Sequence, residues 1–285
     1  MMTSQGAKAA QATTIDETSA AWDRIAPGYD RTNTPSQMWL GGESLHRAGL
    51  RAGMRFLDVA AGSGALSIPA ARLGAHVVAT DLSPVMLELL SRRARAEGLS
   101  IEAKVTDGQA LAFGDNSFDM AGSQFGVMLF PDMPAGIREM TRVVKPSGRV
   151  LVNAYGDPGK IDFLAFLVRA IQSVRPDFDG PPMDPPPLPF QLRDPERLRV
   201  ELAAAGLKDI VVETITETTD FRSGEEVWDW VIWSNPIVET VLAELELAEG
   251  ERMMVRQALE RLVRERAGTG TARLANPVNI GFGTK

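Results

Sequence analysis

Between about residue 54 and residue 155, short apolar runs alternate with stretches whose apolar residues recur at helical spacing. Apolar runs bounded by turn residues read as strands buried on both faces, and the periodic stretches read as amphipathic helices. The predicted strands are Arg55–Ala60, His76–Asp81, Ile101–Thr106, Phe118–Gln124 and Arg149–Asn153. Ala65–Leu73 and Pro84–Ala96 are the predicted helices between the first three, the second with its charges on one face. This alternation predicts parallel βαβ units with helices on both faces of one sheet.

The pattern then changes. Asp157–Arg175 reads as an apolar helix, and Asp179–Pro189 is dominated by proline, which favours a stiff extended chain. That segment serves either as a linker or as a rigid wall over a substrate mouth. A helix starts at Asp194-Pro195 and stops at Gly206, a strand covers Asp209–Thr218, and a last strand covers Asn276–Phe282. Three helical stretches lie between those strands; their Trp228, Trp230 and Trp233 suit either core packing or an apolar pocket. The expected organisation is a disordered lead-in over 1–20, a core with an N-terminal lid over 21–156, and a helical and Pro-rich cap over 157–192. Residues 193–285 complete the sheet around a helical insertion at about 221–268.

The chemistry concentrates at Asp58-Val59-Ala60-Ala61-Gly62-Ser63-Gly64, between a strand and a helix. Gly62 and Gly64 allow a close backbone approach, and the helix start offers free N–H groups. Asp81, at the end of the second strand, is placed to accept hydrogen bonds from ribose hydroxyls. A pyrophosphate would call for glycines spaced G-x-G-x-x-G. Here Asp58 precedes the turn, and its charge would repel a pyrophosphate but attract the ammonium group of a methionine moiety. That sign favours S-adenosylmethionine over NAD.

These residues resemble the first motif of the class I S-adenosylmethionine-dependent methyltransferases, D/E-x-G-x-G-x-G, with Ala60 in place of the first glycine. The likeness continues through Val105-Thr106-Asp107-Gly108-Gln109-Ala110, Phe118–Phe125 and Arg138–Arg149, which is similar to the ubiquinone- and menaquinone-type C-methyltransferases and their small-molecule relatives. Trp22–Asp30 resembles the segment that those enzymes fold over the cofactor. The resemblance implies a Rossmann-like, seven-stranded, mostly parallel sheet with helices on both faces, an antiparallel edge strand and a helical cap. It also implies cofactor contacts from Tyr29, Asp58, Ala60, Gly62, Gly64, Asp81, Leu82, Asp107, Gly108, Gln109 and Gln124. Among these, Asp107 would meet the adenine amino group, Gln124 the methionine portion and Tyr29 its carboxylate.

Composition narrows the partners. A net charge of −7 lacks the clustered positive charge that a nucleic-acid backbone needs. There are no cysteines and only two histidines, which leaves no thiolate chemistry and little basis for a metal site. No signal peptide or membrane span is evident, so a cytoplasmic protein with a small-molecule acceptor is expected; a homodimer through the helical insertion stays open. His46 and Tyr155 are the candidate general bases. The expected reaction is methyl transfer to an oxygen, nitrogen or carbon of an apolar or aromatic metabolite. Cyclisation or elimination on the same fold, an NAD-dependent oxidoreduction and a non-catalytic binding role are the alternatives.

Overall fold

The structure, a computed structural model, describes residues 14–285 except Pro182; of Glu239 only the backbone is described. Helix α1 spans Ile15–Ala48, so the expected disordered lead-in does not extend over Ile15–Ala20; residues 1–13 lie outside the described residues. A capping box starts the helix: Glu17 N–H donates to Thr14 Oγ1, and Thr14 N–H donates to Glu17 Oε2 at 2.8 Å. Pro27 and Pro35 each remove one helical hydrogen bond. Tertiary contacts hold the helix instead. Ser19 Oγ donates to the Leu82 carbonyl, Ser83 Oγ to Asp23 Oδ1, and the Arg93 guanidinium to Asp30.

Seven strands form one sheet in the order β3-β2-β1-β4-β5-β7-β6. Their ranges are β1 Arg55–Val59, β2 His76–Asp81, β3 Ile101–Val105, β4 Phe118–Gln124, β5 Val144–Tyr155, β6 Lys208–Phe221 and β7 Ala272–Thr284. The first five pair in parallel, while β7 runs antiparallel between β5 and β6, so edge strand β6 returns to the common direction. After β1 the chain moves outward to β2 and β3, then returns to add β4 on the other side. The loops after β1 and β4 therefore diverge and leave a crevice at the carboxyl ends.

Helices α2 (Ser67–Arg72), α3 (Pro84–Ala96), α4 (Met133–Val143) and α6 (Pro195–Ala204) flank the sheet. β6 and β7 continue past the end of β5, from the pairing of Ile215 with Val278 to that of Phe221 with Ala272. That two-stranded extension carries α7 (Gly224–Ile232), α8 (Pro236–Glu244) and α9 (Glu249–Ala267). Together with α5 (Asp162–Gln172) they enclose a second apolar core around Phe166, Val227, Leu259 and Val263. Trp228 and Trp230 belong to this core.

Trp233 packs instead on α1. A Cβ built on Gly28 would sit 2.2 Å from its ring. In an exposed helix, Gly→Ala raises stability by roughly 1 kcal/mol. Here the sign should reverse: urea unfolding of Gly28→Ala should show a loss of about 1–3 kcal/mol as the α1–α7 contact is forced apart.

Candidate functional site

The turn after β1 is built on unusual backbone. Ala60 has φ +57° and Gly62 φ +53°. For Ala60 this left-handed conformation costs roughly 1–2 kcal/mol, which the surrounding hydrogen bonds must offset. Gly62 N–H donates to Asp81 Oδ2 at 2.8 Å and Ser83 N–H to Asp81 Oδ1 at 2.9 Å, so one carboxylate joins the two loops at the sheet's carboxyl edge. Burial pushes the Asp81 carboxyl above its usual range, those backbone N–H groups pull it back, and Asp23 adds a small upward push. Ser83 itself caps α3, accepting from Met86 N–H.

A single cleft takes in Tyr29, Ala60, Gly62, Asp81, Leu82, Asp107, Gly108, Gln109 and Gln124. Asp107 Oδ1 accepts from Gln109 N–H, and Gln109 Oε1 accepts from Asp132 N–H, fixing that loop. Gly108 admits no side chain, because a Cβ there would lie 2.5 Å from the Phe130 ring. Gln124 is held from both ends: its amide donates to the Gln37 carbonyl, and its oxygen accepts from Asn153. Tyr29 donates to Gln37 Oε1 at 3.1 Å. Burial, then the charges of Asp81, Glu217 and Asp58, push its phenol far above the ordinary range, so it stays neutral.

Two expected contacts lie behind the wall. Gly64 turns into the core, where a Cβ would press on Ile68 and Leu90 at 3.1 Å, so its bare Cα serves helix packing. Asp58 is fully buried. Its Oδ2 accepts from Ser67 Oγ at 2.6 Å, while Oδ1 has no partner. Burial raises its carboxyl to about 7 against the opposing Ser67 bond, with the Asp81 charge adding to the rise. An unpartnered carboxylate oxygen in the core is costly, and it suits a site that receives a cation or a bridging water.

The two candidate bases lie in different parts of the molecule. His46 is exposed in the last turn of α1, just before the chain enters β1, and so lies at the amino end of the sheet, away from the cleft. The sequence left it open because chain distance from a strand does not say which end the residue occupies. Tyr155 is near the cleft, but burial, Tyr29 and Glu217 push its phenol upward, which opposes a phenolate base.

Ile15, Thr18 and Trp22 of α1, with Phe125, Leu129 and Phe130, also line the cleft. Sequence reading missed Ile15 and Thr18 because the prolines and a weak apolar stripe hid the helix. Phe125, at φ +57°, stacks on Tyr155 with ring centroids 4.5 Å apart. Tyr155 in turn borders a second cavity of about 320 Å³. Its walls come from α5 (Phe163, Leu167), the proline segment (Pro187) and α8 (Val238, Val241), so the prolines form a wall. The three tryptophans of the insertion do not border it. Neither the cleft nor this cavity has a lysine or arginine among its described lining residues.

A sequence profile described as "Methyltransferase domain" matches residues 57–152. An uncharacterised protein of Mycobacterium tuberculosis is 39% identical over 148 residues, which is 52% of this chain and 52% of that protein. The chain thus spans about half the length of that relative. A demethylmenaquinone methyltransferase of Renibacterium salmoninarum is 35% identical over 170 residues, covering 56% of this chain and 69% of that one. Among solved structures, phosphoethanolamine N-methyltransferase 2 of Haemonchus contortus, in complex with S-adenosyl-L-methionine, shares the fold. Its TM-score is 0.51 at 22% identity, over 86% of this chain and 52% of that one. No helix among the described residues is long and apolar enough to cross a membrane. The motif, the strand order and these relatives agree: the chain belongs to the class I S-adenosylmethionine-dependent methyltransferases.

Proposed function

We propose that this chain transfers a methyl group from S-adenosylmethionine to a small, largely apolar or aromatic acceptor. The observation that carries the reading is the pairing of Asp81, fixed by two backbone N–H groups at the cleft wall, with the unpartnered Asp58 oxygen behind the same turn. When bound, the cofactor supplies a methyl group on a positively charged sulfonium sulfur.

The chain's own residues bind and align. Asp81 accepts the ribose hydroxyls, Asp107 accepts from the adenine amino group, and Gly62 and Gly108 let the backbone come close. Asp58 balances the ammonium charge, directly or through water. Tyr29 and Gln124, both tied to Gln37, hold the methionine end. Ile15, Thr18 and Trp22 cover the cleft from α1 and keep water from the reacting centre. Because the sulfonium charge is lost as the methyl moves, a dry, close-fitting site with good alignment favours the reaction. The apolar cavity beyond the Phe125–Tyr155 stack supports the acceptor class, since its walls offer little to a strongly hydrated molecule.

Calorimetric titration with S-adenosylhomocysteine tests the cofactor assignment. Asp81→Ala should lose about 100-fold in affinity, about 2.7 kcal/mol, while its far-ultraviolet spectrum stays that of the parent.

Asp58→Asn should weaken S-adenosylhomocysteine roughly tenfold or more but leave 5′-methylthioadenosine, which has no ammonium group, unchanged. A carboxyl raised to about 7 is charged above that pH and neutral below it. Parent affinity should therefore fall by up to about tenfold per pH unit on acidification below neutrality, and Asp58→Asn should flatten the profile. Equal losses for both ligands would remove Asp58 from the ammonium site.

Val238→Trp, which narrows the apolar cavity, should abolish binding of naphthol-sized probes in a fluorescence titration. It should leave S-adenosylhomocysteine affinity intact.

A further inference from the structure

One buried carboxylate has no part in the site described so far. Most polar residues of edge strand β6 face solvent, but Glu217 is only 3% exposed. It pairs with Asn276 two positions beyond the level where β5 ends at Tyr155, so it stands above the carboxyl edge of the sheet. Side chains alternate along a strand, which puts Glu217 on the same face as Glu213, and Glu213 pairs with Arg47 of α1. Glu217 therefore faces the side of the sheet that α1 covers.

Asn276 Nδ2 donates to Glu217 Oε2 at 3.3 Å, while Oε1 has no partner. The Glu217 charge acts on both phenols of the site, Tyr29 in the cleft wall and Tyr155 in the cavity wall. Burial raises its carboxyl to about 7, opposed by Asn276; among the described residues no lysine or arginine offsets its charge. Helix α7 meets this end of β6 through Trp230 against Phe221 and pairs its Glu226 with Arg222.

Resting on the methyl-transfer reading, we propose that Glu217 is the terminal proton acceptor for a hydroxyl-bearing acceptor, reached through the Tyr155 hydroxyl. The acceptor oxygen forms its bond to the methyl carbon as the bond from that carbon to sulfur breaks, its electron pair staying on sulfur. The acceptor's O–H proton passes to the Tyr155 oxygen while the Tyr155 proton passes to Glu217 Oε1. Tyr155 ends the step neutral, as its buried phenol requires, and the carboxylate ends it protonated. The relay needs Glu217 and Tyr155 to come within hydrogen-bond distance when the cavity is filled. Glu217 acts through another residue, so its role is to position and drain the proton.

2-Naphthol tests this without turnover, because its excited state passes the hydroxyl proton to water or to a base within reach and then emits as naphtholate, but emits as the neutral form in an apolar cavity that holds neither. Bound to the protein loaded with S-adenosylhomocysteine, it should emit as naphtholate, and that emission should fade as pH drops through about 7. Glu217→Gln and Tyr155→Phe should each bind the probe and cut the naphtholate fraction about tenfold or more, with the pH dependence gone in Glu217→Gln. Unchanged naphtholate emission in Glu217→Gln, neutral emission from the bound probe in the parent protein, or no probe binding would each overturn the proposal. Calorimetry on the parent separates the two claims. Loss of S-adenosylhomocysteine binding there would sink the cofactor assignment, whereas intact binding with unchanged emission would sink only the role of Glu217.

Discussion

The fold's functional geometry depends on one carboxylate. Asp81 accepts the N–H of Gly62 from the turn after β1 and the N–H of Ser83 at the start of α3. Two loops from neighbouring parallel strands are thereby locked in register where a ligand must enter. The bonds also hold the turn in a conformation that an alanine at position 60 resists. The main apolar core behind β1, around Phe56, Leu57 and Val59, gives that turn a rigid base. Strain here is local and small beside the packing that surrounds it.

Negative charge is unusually dense around this turn. Asp58 and Asp81 are both held above their ordinary range, chiefly by burial, and each adds to the cost of ionising neighbours such as Tyr29. Such an arrangement is poor for anions and good for a cationic ligand that brings hydroxyl and ammonium donors. The same reasoning applies to Glu217, where burial and a single weak amide bond leave a carboxyl able to change its protonation near neutrality.

The second core explains how an apolar cavity can sit beside the cleft without merging with it. β6 and β7 outrun β5 and raise α7, α8 and α9 above the sheet edge. α1 crosses to meet them, with Trp230 donating to Ser36 Oγ and Asn33 donating to the Trp230 carbonyl. Phe125 and Tyr155 stack at the boundary, Phe125 lining the cleft and Tyr155 the cavity.

Local chemistry made much of this legible in the chain. Apolar runs of the right length specify the central parallel strands β1 and β2, because a strand buried on both faces favours apolar side chains at successive positions; the exposed edge strand β3 rests on its pairing with β2. The turn around Gly62 and the strand-end Asp81 were equally readable, since few residues fit a tight turn beside a ligand. What the sequence could not settle was which distant groups meet. α1 passes through two prolines that local rules treat as breaks, and its packing on α2, α3 and α7 supports it across them. Gly64 carries the motif but serves Leu90, and His46 lies near β1 in the chain yet at the wrong end of the sheet. Glu217 looks like an ordinary polar residue on an alternating strand. Its burial, its place above the end of β5 and its proximity to two phenols arise only when β7 inserts between β5 and β6, because desolvation and charge coupling depend on what surrounds a residue in space.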